Sequence, residues 1–364
     1  MHATTTATVD RITLWPYSTR VAPGGIDHAS FGLDRLTFDV FAASFRIDTP
    51  EKARALHDAY EWACAYLAPF VVKITIDMAP TLLGALTVNP QARIVFLGRD
   101  GFVFGDAFGV LYPRFHAGHC AAMYLSRSLV GNALRELEVY EGRSFDAIES
   151  FRKRTVTKGD PGSAWRELTA YFLASGIDIG GQTSEIHVVD TGLKGSIQEM
   201  LAAAYPDTTF VGHYAFYCAS PDDPHPGSKT GYALHLDDHR ANSGNALRGA
   251  LPDDVELTFQ HHEAIVAIEE LVQGPHASPT GYGPNGRPIT VRHRHDPHRP
   301  ATDPYLREAV TTMNSIAVIQ LAREVARGGT QPPTDDSGRY RDLARRADEL
   351  RGRIRTMVAR QPGT

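Results

Sequence analysis

Ile186-His187-Val188-Val189-Asp190-Thr191-Gly192-Leu193-Lys194-Gly195-Ser196-Ile197-Gln198-Glu199-Met200-Leu201 is the stretch that decides the fold. An apolar strand over 186–190 runs into Asp-Thr-Gly, and from Ser196 the apolar spacing turns helical. A strand–turn–helix of this kind aims backbone N–H groups, a hydroxyl and an ammonium at one point above the strand end, which suits an anion. Upstream, Ile94-Val95-Phe96-Leu97-Gly98-Arg99-Asp100-Gly101 repeats the layout, and a strand over 121–126 ends at Ser126-Arg127-Ser128.

The alternation extends in both directions. Strand 94–98, a helix to about Tyr112, strand 121–126, helices within 131–175, strand 186–190, helix 196–204 and strand 209–218 predict a parallel sheet with crossover helices. The fold class is therefore α/β: a Rossmann-like parallel sheet with helical N-terminal and C-terminal additions. Residues 1–90 read as an entry segment, irregular or β-rich to residue 50, followed by a helical layer. Thr49-Pro50 starts a helix running to about Leu67, and a second spans Phe70 to Leu86. Residues 91–327 form the α/β core with a helical insertion, an edge strand over 231–236 and helices over 257–273 and 304–327. A Pro-, Gly- and His-rich loop covers 274–304, residues 328–338 form a linker, and residues 339–364 carry a basic helix.

Composition narrows the function. A net charge of −5 gives no basic field for nucleic acid. Cys64, Cys120 and Cys218 are too scattered for a disulfide framework or a cysteine zinc site. Residues 1–8 lack a signal-peptide pattern, and the apolar stretch 63–86 is interrupted by Pro69, Lys73, Asp77 and Pro80, so a cytoplasmic protein without a membrane span is expected.

In parallel α/β sheets ligands sit at the carboxyl ends of the strands, where 98–101, 126–128 and 190–196 all fall. Lys194, Ser196, Thr191 and the backbone at Gly192, Gly195 and Gly101 would hold phosphate, with Ser126, Arg127 and Gln198 beside them. Asp100 and Asp190 would move protons or bind Mg²⁺, and Arg99 would meet developing negative charge. His261-His262-Glu263 lacks the i+4 histidine of a metal helix, and the histidines at 293, 295 and 298 read as an adventitious metal site or a solvated lid, not a catalytic metal site. In the basic helix, Leu343, Ala347, Leu350, Ile354 and Met357 form a stripe for self-association or for packing on the same chain.

Phe96-Leu97-Gly98-Arg99-Asp100-Gly101, Tyr124-Leu125-Ser126-Arg127 and Asp190-Thr191-Gly192-Leu193-Lys194-Gly195-Ser196-Ile197-Gln198 together resemble the carboxyl-terminal module of predicted haloacid-dehalogenase-superfamily hydrolases associated with glycosyltransferases. The likeness covers about residues 65–285 and includes Glu269-Glu270-Leu271 with Gly281-Tyr282. It implies that the motif residues share one site, in a setting of surface-glycan or specialised metabolism. Gly98 stands where the dehalogenase nucleophile would be, so the covalent aspartyl route has no starting group in this loop. The expected function is an enzyme acting on a phosphorylated sugar or nucleotide, by glycosyl or phosphoribosyl transfer. The alternatives are a dehalogenase-like phosphate-ester hydrolase and a noncatalytic nucleotide- or sugar-binding partner of a glycosyltransferase.

Overall fold

A computed structural model describes residues 27–152, 162–237, 246–274, 276–290, 303–328 and 338–360. The entry segment before residue 27, the break at 158–161, the linker positions 329–337 and the histidines at 293, 295 and 298 lie outside the described residues. In chain order the elements are α1 (Arg35–Ser44), α2 (Pro50–Trp62), α3 (Ala68–Val88), β1 (Arg93–Gly98), α4 (Phe102–Leu111), α5 (Pro113–His119), β2 (Cys120–Tyr124) and α6 (Arg127–Glu141). They continue with α7 (Ala164–Ala174), β3 (Glu185–Leu193), α8 (Ser196–Ala204), β4 (Thr209–Cys218), β5 (Lys229–Leu236), α9 (His262–Val272), α10 (Pro304–Arg327) and α11 (Gly338–Arg360).

The sheet has five parallel strands in the order β2-β1-β3-β4-β5. From β1 the chain first crosses to β2 on one side and then returns to β3 on the other. The order therefore reverses between β1 and β3, and such a reversal opens a crevice at the strand carboxyl ends. Ile94, Phe96 and Val189 face the layer of α3, α4, α9, α10 and α11. Val95, Leu97, Ile186 and Val188 face α6, α7 and α8. The result is a three-layer Rossmann-like fold with helical additions at both ends, as the strand–helix alternation requires.

The entry segment differs from expectation over 35–44, which is helical. Asp34 caps the helix by accepting from the Thr37 N–H at 2.9 Å, and Phe38, Phe41 and Ala42 fall on one buried face. The two separate helices expected over 50–86 form one continuous rod, Pro50–Val88. Pro69 removes the N–H that would have bonded the Ala65 carbonyl, and a π-helical turn over Ala63–Leu67 absorbs the defect. Arg346 of α11 supplies donors to the Ala65 and Cys64 carbonyls at 3.3 and 2.6 Å. By length and composition this rod is long and apolar enough to cross a membrane; in the fold half of its most apolar window is buried. The segment 257–273 is likewise divided: a 3₁₀ turn over Val255–Gln260 precedes α9, whose cap is His261.

The stripe of α11 packs within the same chain, against α3 and α9, with Val358 buried where Met357 was expected; Met357 is turned outward. Under α3, a chain of hydrogen bonds crosses three strands. His187 Nε2 lies 3.0 Å from Glu185, His187 Nδ1 lies 2.9 Å from His213 Nε2, and His213 Nδ1 lies 2.9 Å from the Tyr232 hydroxyl. With both rings neutral, the proton order is fixed: Tyr232 donates to His213, His213 to His187 and His187 to Glu185. Burial keeps both rings neutral. It lowers His187, and together with the neighbouring His187 it pushes His213 down to about 3.

Candidate functional site

Three adjacent strand ends meet at the reversal point. Gly98 pairs with Tyr124 across β1 and β2, and Phe96 pairs with Val189 across β1 and β3. Beyond Gly98, Arg99 and Asp100 turn the chain into α4, and the Gly101 N–H bonds back to the Leu97 carbonyl at 2.8 Å. Beyond Tyr124, Ser126 caps α6 by accepting from the Leu129 N–H at 3.1 Å, which leaves Arg127 exposed at the first helical position. On β3, Asp190 accepts from the Thr191 N–H at 2.9 Å. Asp100 thus lies within electrostatic reach of Arg99 and of Asp190, and Arg127 within reach of Glu269 on α9. The peptides Gly98–Arg99 and Gly192–Leu193 are both cis.

The electrostatics of this cluster are those of carboxylates held short of water and close to one another. Burial pushes Asp100 up to about 6 against the pull of the Arg99 guanidinium. Burial and then the Asp100 charge raise Asp190 well above the ordinary carboxylate range; the Thr191 N–H opposes this and Glu269 adds to it. Burial and Asp100 likewise bring Glu269 of α9 to about 7, against Arg99 and Arg127. One Asp100 oxygen, Oδ1, is sealed from solvent without a hydrogen-bond partner in the fold. Neighbouring carboxyls with raised pKa values share protons near neutrality and can act as acid and base in turn.

Among the described residues no three His, Cys, Asp or Glu side chains are grouped as a metal site. Asp100 and Asp190 are two hard oxygen donors, the number that Mg²⁺ takes when phosphate oxygens and water complete its shell.

The loop after β3 is built differently from the expected cradle. Gly195, with φ +70°, is the cap residue of α8 and supplies no side-chain cap, and Ser196, expected as the cap, is instead the first helical residue. A side chain on Gly192, with φ +124°, would strike the Phe216 carbonyl of β4, and one on Gly195 would lie 2.6 Å from the Lys229 stem. Both glycines are thus required by the packing of their own chain before any ligand arrives. Gly192→Ala is expected to cost more than about 2 kcal/mol of stability, read by thermal melting; a wild-type melt would contradict the packing.

Gln198 faces away from the strand tips. Its amide donates to the Phe210 carbonyl and to Ser228 Oγ, and its oxygen accepts from the Tyr214 hydroxyl at 2.8 Å. Lys194 is partly engaged, donating to the Ser150 carbonyl at 2.9 Å above the Phe151 ring. Burial and the neighbouring Arg127 lower its pKa, so the two cations lie within electrostatic reach of each other; Asp222 and Asp223 pull the other way.

Two contributors have no local signal of their own in the sequence and enter it only through the family resemblance. Glu269 is one. The other is the segment 276–290, which crosses the tips of β1 and β2. Arg99 donates to the His276 carbonyl at 3.0 Å, Ser126 donates to the Pro279 carbonyl at 2.6 Å, and Tyr282 packs on Tyr171. The pairing of Glu269-Glu270-Leu271 with Gly281-Tyr282 was the one signal in the sequence that tied these pieces to the motifs. No protein-family model matches the chain, and no curated protein is significantly similar to it.

Proposed function

We propose that the protein is an enzyme acting on a phosphorylated sugar or nucleotide, transferring a glycosyl or phosphoribosyl group at the carboxyl ends of β1, β2 and β3. The supporting observation is the mixture of charges at one place: Asp100 lies within electrostatic reach of Arg99, Glu269 of Arg99 and Arg127, Asp190 of Asp100 and Glu269, and Arg127 of Lys194. Transfer at an anomeric carbon develops positive charge on the sugar and negative charge on the departing group. Carboxylates stabilise the first. Guanidinium and ammonium groups stabilise the second when it is a phosphate or diphosphate.

In this reading Arg127 and Lys194 bind the phosphate with the N-terminal turn of α8, and Arg99 faces the leaving oxygen. Asp190 and Asp100 face the ring and exchange the proton. In place of that proton, Asp100 and Asp190 would hold Mg²⁺ entering with the phosphate, which would neutralise part of its charge. No serine, cysteine or aspartate stands at the nucleophile position, Gly98, which favours transfer over hydrolysis through a covalent intermediate.

The test is a panel of sugar phosphates, phosphoribosyl diphosphates and nucleoside diphosphate sugars, with Mg²⁺ and acceptors, read by mass spectrometry. A transferred glycosyl group that disappears in Asp190→Asn is the expected result. Phosphate released to water in an Asp100-dependent way would instead support the hydrolase, and ligand-induced melting shifts without turnover would support a binding partner. Arg127→Ala and Lys194→Ala are each expected to weaken phosphate-ligand binding by about tenfold, read by calorimetry, since each removes a charge-assisted contact. Unchanged affinity in both variants would remove the phosphate subsite.

A further inference from the structure

Outside the strand tips, a buried cation with all its protons bonded lies where β4 crosses to β5. Lys229 opens β5, and its side chain is fully buried. Its Nζ donates to Glu199, to Asp223 Oδ1 at 2.9 Å and to the His225 carbonyl at 3.1 Å, so all three ammonium protons are used. The second Glu199 oxygen lies 2.8 Å from His225 Nδ1. Glu199 sits in the first turn of α8. The residue before it, Gln198, is bonded to Ser228 of the same crossover. The Lys229 stem fills the space beside Gly195 that a side chain there would need. One crossover therefore grips the cap glycine and two first-turn side chains of the helix that borders the candidate site.

We propose that Lys229, acting through Glu199, is a positioning residue that sets the loop 192–196 and the first turn of α8 for binding a phosphate group; the proposal rests on the function proposed above. Apolar side chains of similar volume would hold β5 to β4 at equal or lower cost, because a buried ion pair gains little net stability. What a fully satisfied polar group adds is a single geometry. Here the geometry fixed is the direction of the N–H groups at the start of α8 and the departure of the chain at Lys194. An anion site depends on that aim, since the attraction of a helix end is confined to its first turn.

The test uses the full ¹⁵N-labelled chain and inorganic phosphate as the probe, with affinity and the Gly195 and Ser196 amide resonances as readouts. In the variant Lys229→Met/Glu199→Gln/Asp223→Asn, which removes the whole ion group, phosphate affinity is expected to fall about tenfold while the melting temperature is largely kept, although the loss of one net negative charge near Lys194 favours phosphate. His225→Ala removes only the exposed end of the group and is expected to weaken phosphate about threefold without unfolding. Wild-type phosphate affinity in His225→Ala, or in a folded triple variant, would overturn the positioning role. If the triple variant does not fold, His225→Ala decides alone. If phosphate leaves the Gly195 and Ser196 amides of the unsubstituted chain unmoved and Lys194→Ala binds it normally, the proposed phosphate site itself has failed, which is a separate outcome.

Discussion

Glu269→Gln is expected to make the folded chain more stable at pH 8, by about 2 kcal/mol. The sign follows from the folded-state pKa. Burial and the Asp100 charge raise Glu269 from an ordinary 4.5 to about 7. A raised carboxyl contributes stability that is present below its unfolded value and lost as pH rises through the folded one. At pH 8 the ionised Glu269 is therefore a cost, and a neutral amide of the same shape removes it. Asp100, raised to about 6, acts in the same sense.

The buried histidines act in the opposite sense. His213 is depressed from 6.5 to about 3, so its contribution is present above 6.5 and lost as pH falls toward 3. In urea unfolding between pH 5 and 8, the wild-type chain should gain from its acids and lose from its histidines as pH falls. The variant Asp100→Asn/Asp190→Asn/Glu269→Gln should show the histidine loss alone. Identical pH profiles for the two proteins would mean that the strand-tip carboxyls are not held as described.

The second large effect is Lys229→Met made singly. It leaves Glu199 and Asp223 buried without their shared cation and is expected to cost about 3–5 kcal/mol, enough to unfold a marginal domain. Pairing it with Glu199→Gln and Asp223→Asn should restore most of that loss, because removing the whole ion group is close to neutral. Chemical denaturation of the single and triple variants reads both numbers. A single variant as stable as wild type would show that the three groups do not share a buried contact.

The sheet was legible because its parallel strands are apolar runs bounded by Gly, Asp and Ser, and three of them end in polar turns. Adjacency of those ends followed from the right set of strands, and Asp100, Asp190, Arg99 and Arg127 came with it. Glu269 did not. It reaches Asp100 only because α9 packs beside the tips, a tertiary fact with no local periodic signature. The turn expected over 190–196 is shorter in the fold: β3 continues through Asp190 to Leu193, paired with β4, and only Lys194 and Gly195 separate it from α8. Gly192 and Gly195 make room for Phe216 and Lys229, partners set by strand register and not by the turn itself.

Gln198 looked like a ligand contact from its place after the serine, yet its alternation along α8 turns it into the protein, toward Tyr214 and Ser228. Residues 35–44 lack a strong breaker, and Leu36, Phe38 and Val40 alternate with polar residues before Phe41, so strand and helix are close in pattern. The Asp34 cap decides it. The chain His187–His213–Tyr232 is invisible in sequence because it depends on β3, β4 and β5 lying in register.

The most direct measurement of the central claim is a titration of the ¹⁵N-labelled protein with ribose 5-phosphate and with a nucleoside diphosphate sugar, following backbone amides. Shifts confined to Arg99–Gly101, Ser126–Arg127 and Thr191–Ser196, saturating together and needing about tenfold more ligand in Arg127→Ala, are expected if one phosphate-bearing compound sits across the three strand ends. Shifts that cluster elsewhere, or resonances that stay still at saturating ligand, would contradict it.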